Sequence, residues 1–313
     1  MTEFSRRQFI GAAAAGALAG AVRPGAAAGA TKSRVVKVES PRWRLASGQV
    51  HPGVVRQMVN AGMMRVTGKS TPEAAWRELF SPGEVVGVKF NKISRDYSGA
   101  NQALVDAIAM GLTAAGVQQS DIIVLEAAGA TFHGGTPQKG WAREYDFGSG
   151  KTLFSNLLVN QLDAIINVPN PKHHPIASFT GALKNISHAE GTFMQGAGEF
   201  HRNKCDPYVA DINALDVVRT KVRVHLCNGL MGIFDRGAYP QPGNQWINNA
   251  LYLSFDPVAM DTILAQVVDK ARVERNRPPL QNPDGAISTI ATAAKRGLGT
   301  SDLARIEVAS LKL

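Results

Sequence analysis

Histidines and lysines crowd one stretch of this chain. Asn170-Pro171-Lys172-His173-His174-Pro175 is followed at short range by Thr180, Lys184, Asn185 and His188. An imidazole can take up a proton, donate one or ligate a metal. A lysine ammonium can hold an anion or stabilise negative charge that develops in a transition state. Lys184, His174 and Lys172 are therefore the candidate catalytic groups, and Asn91, Asn167 and Asn185 the candidate substrate-binding amides. His133, His174, His188 and His201 are candidate metal ligands, with Glu126 or Asp235 as a carboxylate partner. Such donor sets suit a single zinc or iron ion. The chain has no HExxH and no tight His-x-His pair, so only the fold could assemble these ligands. Two cysteines supply too few thiolates for an intrinsic four-cysteine iron–sulfur cluster.

Short branched runs alternate with helical patterns along the chain, and these elements must position the polar groups. Strands are predicted over 34–39, 84–90, 121–126, 163–168, 219–227 and 250–255. Helices are predicted over 52–66, from Pro72, over 101–115, 152–161, from Pro257 and over 287–295. Thr71 and Asp256 are natural N-caps, each followed by proline at the first helical position. This alternation predicts an α/β fold, with a mostly parallel sheet flanked by helices. It fits one compact domain with long loop excursions at 127–150 and 185–215. Open α/β sheets bind ligands beyond the carboxyl ends of their strands. The candidate residues fall there: Asn91 after one strand, Glu126 and His133 after the next, Asn167 to His188 after a third. Two prolines bracket Lys172-His173-His174, which predicts a restrained loop rather than a strand. A helix over 178–188 would bring Gly181, Lys184 and His188 near one face.

Standard nucleotide and hydrolase signatures are missing: no GxGxxG, no GxxxxGK[ST] and no GxSxG. Gly148-Ser149-Gly150-Lys151-Thr152 has only the tail of a phosphate loop. Cys227 ends an apolar run and is expected in the core; Cys205, among charged residues, is expected near the surface. Whether the two pair depends on a distance the sequence does not contain.

Three separated motifs carry a family resemblance. Asp163-Ala164-Ile165-Ile166-Asn167-Val168-Pro169, then Lys172-His173-His174 and Thr180-Gly181-Ala182-Leu183-Lys184-Asn185, resemble the core of the DUF362 family. Val86-Gly87-Val88-Lys89-Phe90-Asn91 and Ser254-Phe255-Asp256-Pro257-Val258-Ala259-Met260-Asp261 extend the resemblance over about 80–270. It implies that Lys172, His173 or His174, Lys184 and Asn185 share a site. Many relatives carry a ferredoxin-like module, but this chain has no CxxC.

Residues 1–30 are set apart. Ser5-Arg6-Arg7-Gln8-Phe9-Ile10 precedes an Ala/Gly-rich run with small residues at 26–30, which resembles a cleaved twin-arginine export signal. Residues 31–313 would then be the mature domain, exported to the periplasm through the twin-arginine machinery, with no stable membrane span after cleavage. The formal charge is +9; residues 1–30 hold three arginines and one glutamate, leaving +7 on the rest. The basic residues are dispersed, with no zinc-finger spacing and no aromatic–basic interleaving, which argues against a nucleic-acid partner and suits a small anionic ligand. The expected function is an exported enzyme, metal-assisted or redox-associated, acting on a small anionic substrate. The alternative is a non-catalytic ligand-binding or accessory protein serving a metalloenzyme or redox partner.

Overall fold

Runs of valine and isoleucine build the strands, and in the computed structural model most of them join one sheet. The structure describes residues 32–237, 239–280 and 287–313. The predicted export segment lies outside these. The strands are β1 (Ser33–Glu39), β2 (Val86–Lys89), β3 (Ile122–Leu125), β4 (Trp141–Asp146), β5 (Lys151–Ser155), β6 (Ala164–Asn167), β7 (Lys172–His174), β8 (Ser178–Thr180), β9 (Val222–Ile233), β10 (Gln245–Ser254) and β11 (Ile306–Lys312). Their order in the main sheet is β11-β1-β10-β9-β6-β2-β3. The β9-β6-β2-β3 half is parallel, β10 runs antiparallel to both neighbours, and β1 and β11 are parallel. The hairpin of β7 and β8 joins the sheet at β9 through a single register pair, Lys172 with Ile233.

The helices are α1 (Pro52–Thr67), α2 (Pro72–Arg77), α3 (Asn101–Ala114), α4 (Ala182–Ser187), α5 (Tyr208–Ala214), α6 (Asp216–Arg219), α7 (Pro257–Val273) and α8 (Ser288–Lys295). Successive strand residues point to opposite faces, and each face has its own core. Val36, Val38, Val88, Ile166 and Leu253 pack with residues of α1, α2 and α3. Val35, Ile165 and Tyr252 pack on the other face with residues of α4, α5, α7 and α8. Ser33–Leu313 is thus a single compact α/β unit with a mixed, mostly parallel sheet. No described helix is long and apolar enough to cross a membrane.

The predicted caps form. Thr71 accepts from the Ala74 amide at 3.2 Å, and Asp256 from Val258 and Ala259 at 2.9 and 2.8 Å. Other expectations need correction. The excursion at 127–150 contains β4, and the helix expected over 152–161 is instead β5 followed by one π-type turn, Leu157–Gln161. Thr152 and Phe154 alternate inward along β5, and Phe154 packs on Tyr145 at 4.6 Å, so a period of two wins over helix. The bracketed Lys172-His173-His174 is a strand after all, because Pro171 and Pro175 fall just outside the paired residues, where no ladder donor is needed. The segment 178–188 divides into β8 and α4 at Gly181, where a Cβ would collide with Asp261 and Phe179. The C-terminal strand β11 had no counterpart among the expected elements.

Candidate active site and metal group

Three parallel strands end level with one another. Lys89 pairs in register with Leu125 and Asn167, and Asn167 with His225, so these four form a row across the carboxyl ends of β3, β2 and β6 and the fourth residue of the longer β9. α4 lies against this row, its Asn185 bonded to Lys89 and Asn167. Asp261 of α7 anchors the start of α4 by accepting the amides of Ala182 and Leu183 at 2.5 and 3.0 Å. Burial pushes the Asp261 carboxyl up to about 7, against the pull of those two amides.

The lower layer is a closed polar network. Lys89, 2 % exposed, donates to the Asn185 carbonyl at 2.6 Å, to Asn185 Oδ1 at 3.0 Å and to Glu126 at 3.1 Å. Glu126 also accepts from the Lys92 amide and the Thr192 hydroxyl, at 3.0 and 2.7 Å. Asn185 Nδ2 donates to Asn167 Oδ1 at 2.7 Å, and Asn167 Nδ2 reaches the Ala182 carbonyl and His225 Nδ1, both at 2.9 Å. Asn91 Nδ2 donates to Asn185 Oδ1 at 2.8 Å, while Asn91 Oδ1 accepts from Ser94 and from Lys172 Nζ at 3.1 Å. The structure brings Asn91, Asn167 and Asn185 together, and spends their amide groups on one another and on two lysines. Lys89, Ser94 and His225, which sequence reasoning did not single out, belong to this network.

The upper layer is different. Lys184 Nζ lies 3.2 Å from His201 Nε2, and His201 Nδ1 lies 2.9 Å from the Gly198 carbonyl. A carbonyl only accepts, so His201 carries its proton on Nδ1 and presents a lone pair at Nε2. His188 Nδ1 meets Ser187 Oγ at 3.0 Å, leaving buried Nε2 without a partner. Tyr208 fixes this corner: its hydroxyl donates to the Ser187 carbonyl at 2.7 Å and its ring packs edge-on to His188 at 5.1 Å. The ring atoms of His188 and His201 and the sulfur of Cys205 lie within 4.8 Å of one another. One ion bound at ~2.0–2.3 Å to each donor would draw the three together to roughly 3.5 Å from one another. Two imidazole nitrogens and a thiolate suit zinc or another late first-row divalent ion, and the orphaned His188 Nε2 is what such a ligand looks like without its ion.

Cys205 is the ligand that sequence reasoning missed. It is fully buried rather than near the surface, because Asn203, Lys204 and Cys205 all adopt positive φ and turn the thiol inward. The spacing His201-x3-Cys205 was its only trace in the sequence. Burial pushes this thiol up, and nearby Lys184 pulls it down. Cys205 and Cys227 are both free thiols. His133 is exposed and is not part of this group; its carbonyl accepts from Gln119.

His174 stacks on His201 at 5.4 Å but offers no lone pair. Its Nδ1 accepts the turn amides of Ile176 and Ala177, both at 3.1 Å, so the proton sits on Nε2. Burial and the charge of Lys184 hold its pKa down at about 2, which keeps the ring neutral. Burial likewise lowers Lys172 to about 7 and Lys184 to about 8, and Lys184 adds to the fall at Lys172.

A family model for a domain of unknown function, DUF362, matches residues 124–266. That stretch holds Glu126, both lysines of the pocket and the three donors of the metal group, and it supports the resemblance there. No curated protein and no solved structure matches the chain.

Proposed function

We propose that this pocket is the active site of a metal-assisted enzyme acting on a small anionic substrate. The observation that carries the reading is the convergence of His188, His201 and Cys205 beside two buried ammonium groups, Lys184 and Lys172. His188 Nε2, His201 Nε2 and the Cys205 sulfur would hold one divalent ion. Bound there, the ion would supply Lewis-acid polarisation of a substrate oxygen. With His201 Nε2 holding the ion, Lys184, which now faces that lone pair, would be free to bind or steady negative charge on the substrate. Lys172 is braced by Asn91 and Ser94, so its amino group is held in place. In the network beneath, Asn91 and Asn185 orient Lys172 and Lys89, and Asn167 holds Asn185.

Export through the twin-arginine route fits this reading, since that route carries folded proteins and would let the ion be loaded first. The test is metal analysis of the mature protein from its native host. One zinc or similar ion per chain is expected, with loss in Cys205→Ser and in His188→Ala while the fold is kept. Unchanged metal content in both variants, or no metal in the wild type, sinks the assignment. A stoichiometric metal without turnover on any small anion would favour the accessory-protein reading.

A further inference from the structure

Backbone groups set the tautomers of two pocket histidines, but not of the third. His201 keeps its proton on Nδ1 because the Gly198 carbonyl, 2.9 Å away, can only accept. His174 keeps its proton on Nε2 because two turn amides point at Nδ1. The ring of His188 has one hydrogen-bond partner among the described residues, the Ser187 hydroxyl, 3.0 Å from Nδ1. A hydroxyl both donates and accepts, so this contact by itself allows either tautomer.

The surroundings of Ser187 hold its hydroxyl on that ring. Ser187 is the last residue of α4 and is fully buried, so the hydroxyl has no access to water. A helical serine often bonds back to the carbonyl four residues earlier. Here that carbonyl, of Leu183, already accepts from Asn213 Nδ2 at 2.9 Å. Tyr208 donates to the Ser187 carbonyl at 2.7 Å, so two residues of α5 clamp the final turn of α4. If Ser187 donated to Nδ1, the ring proton would sit on Nε2, buried with no acceptor. No cation could satisfy that N–H. If Nδ1–H donates to Ser187, Nε2 keeps the lone pair that the group with His201 and Cys205 requires.

We propose that Ser187 is a positioning residue of the metal group: its hydroxyl oxygen accepts the His188 Nδ1 proton and fixes the tautomer that offers Nε2 to a divalent ion. The ion in this statement rests on the metal reading of the pocket; the tautomer rests on the Ser187 contact. A hydrogen bond to the far nitrogen orients a ligating imidazole and makes it more basic. Ser187 itself touches neither the ion nor the substrate.

Two measurements on the full chain test it. The first is two-bond proton–nitrogen NMR of the imidazoles in 15N-labelled, chelated protein, with His188 assigned by its loss in His188→Ala. The wild type should carry the His188 proton on Nδ1, and Ser187→Ala should move it to Nε2 or give a mixture. The His201 tautomer should not change. The second is cobalt(II) titration, read by the absorbance of the thiolate-bound ion. Ser187→Ala should bind cobalt about 10- to 100-fold more weakly than the wild type. Ser187→Thr, which keeps the hydroxyl, should stay within about threefold. If the threonine does not fit, the wild type and the alanine variant decide the matter. A proton on Nε2 of wild-type His188, or wild-type cobalt affinity in Ser187→Ala, overturns the proposal. A proton on Nδ1 with no cobalt bound would uphold the hold of Ser187 on the ring and sink the metal reading. Cobalt bound equally by the wild type and Ser187→Ala would do the reverse.

Discussion

Two polar layers sit one above the other in this protein, and they obey opposite rules. In the lower layer, Lys89, Glu126, Asn91, Asn167 and Asn185 satisfy one another. Lys89 alone has three acceptors, and the Asn185 amide joins β2, β6 and the loop at Asn91 into one unit. In the upper layer, Thr180 Oγ1 and His188 Nε2 are buried without partners. Buried polar groups are almost always paired in folded proteins. A closed network therefore reads as scaffold. Unpaired groups gathered in one place read as a site that waits for a ligand, with stability given up for function.

Substitutions that break each layer should part the two. The largest effect belongs to the lower layer. Glu126→Gln leaves Lys89 charged and buried without its counterion, and should lower unfolding free energy by about 3 kcal/mol in denaturant titration. A change below ~1 kcal/mol would mean that the network is not closed around that ion pair.

Lys172→Met should act through pH. Burial holds the folded-state value of Lys172 at about 7, below the 10.5 of the free side chain. Between those values the unfolded chain holds a proton that the native state has released, so native stability rises as pH increases from about 7 to 10.5. Lys172→Met removes that rise. At pH 6 the variant should equal the wild type in stability or exceed it by up to about 2 kcal/mol, because it no longer buries an ammonium. Parallel stability–pH curves for the two proteins would show that Lys172 is not held as described.

The smallest effect is expected at Thr180. Thr180→Val keeps the branched shape and deletes a hydroxyl that bonds to nothing, so thermal stability should stay level or rise by roughly 0.5 kcal/mol. A loss of more than ~1 kcal/mol would place the hydroxyl in the scaffold rather than in the site. Together the three measurements ask whether the boundary between the layers runs where the hydrogen bonds put it.

Much of the frame was readable from residue order. The valine and isoleucine runs of β2, β3 and β6, and the caps at Thr71 and Asp256, form as their local chemistry dictates. Looking beyond the strand ends picked out Lys172, His174, Lys184 and the three asparagines, which the fold gathers near one another, since that rule needs only element order. It failed where local preference and tertiary pairing disagree. Lys172-His173-His174 reads as a proline-bound loop, yet pairing with β8 and β9 makes it a strand. The stretch 152–161 reads as helix, yet its first residues form β5 once β4 is there to pair with them.

What the sequence determined by itself, then, is which groups are available and at which end of the sheet they stand. Short-range chemistry is enough for that: branched runs, caps, prolines and the alternation of strand and helix. The tertiary structure decided what each group does. It divided the asparagines from the histidines, saturating one set and leaving atoms of the other unpaired. It set the tautomers of His174 and His201 through a turn and a carbonyl. It drew Cys205 inward through three left-handed residues and left His133 outside. Those outcomes depend on distances between residues far apart in the chain, and on burial, which no local run of residues encodes.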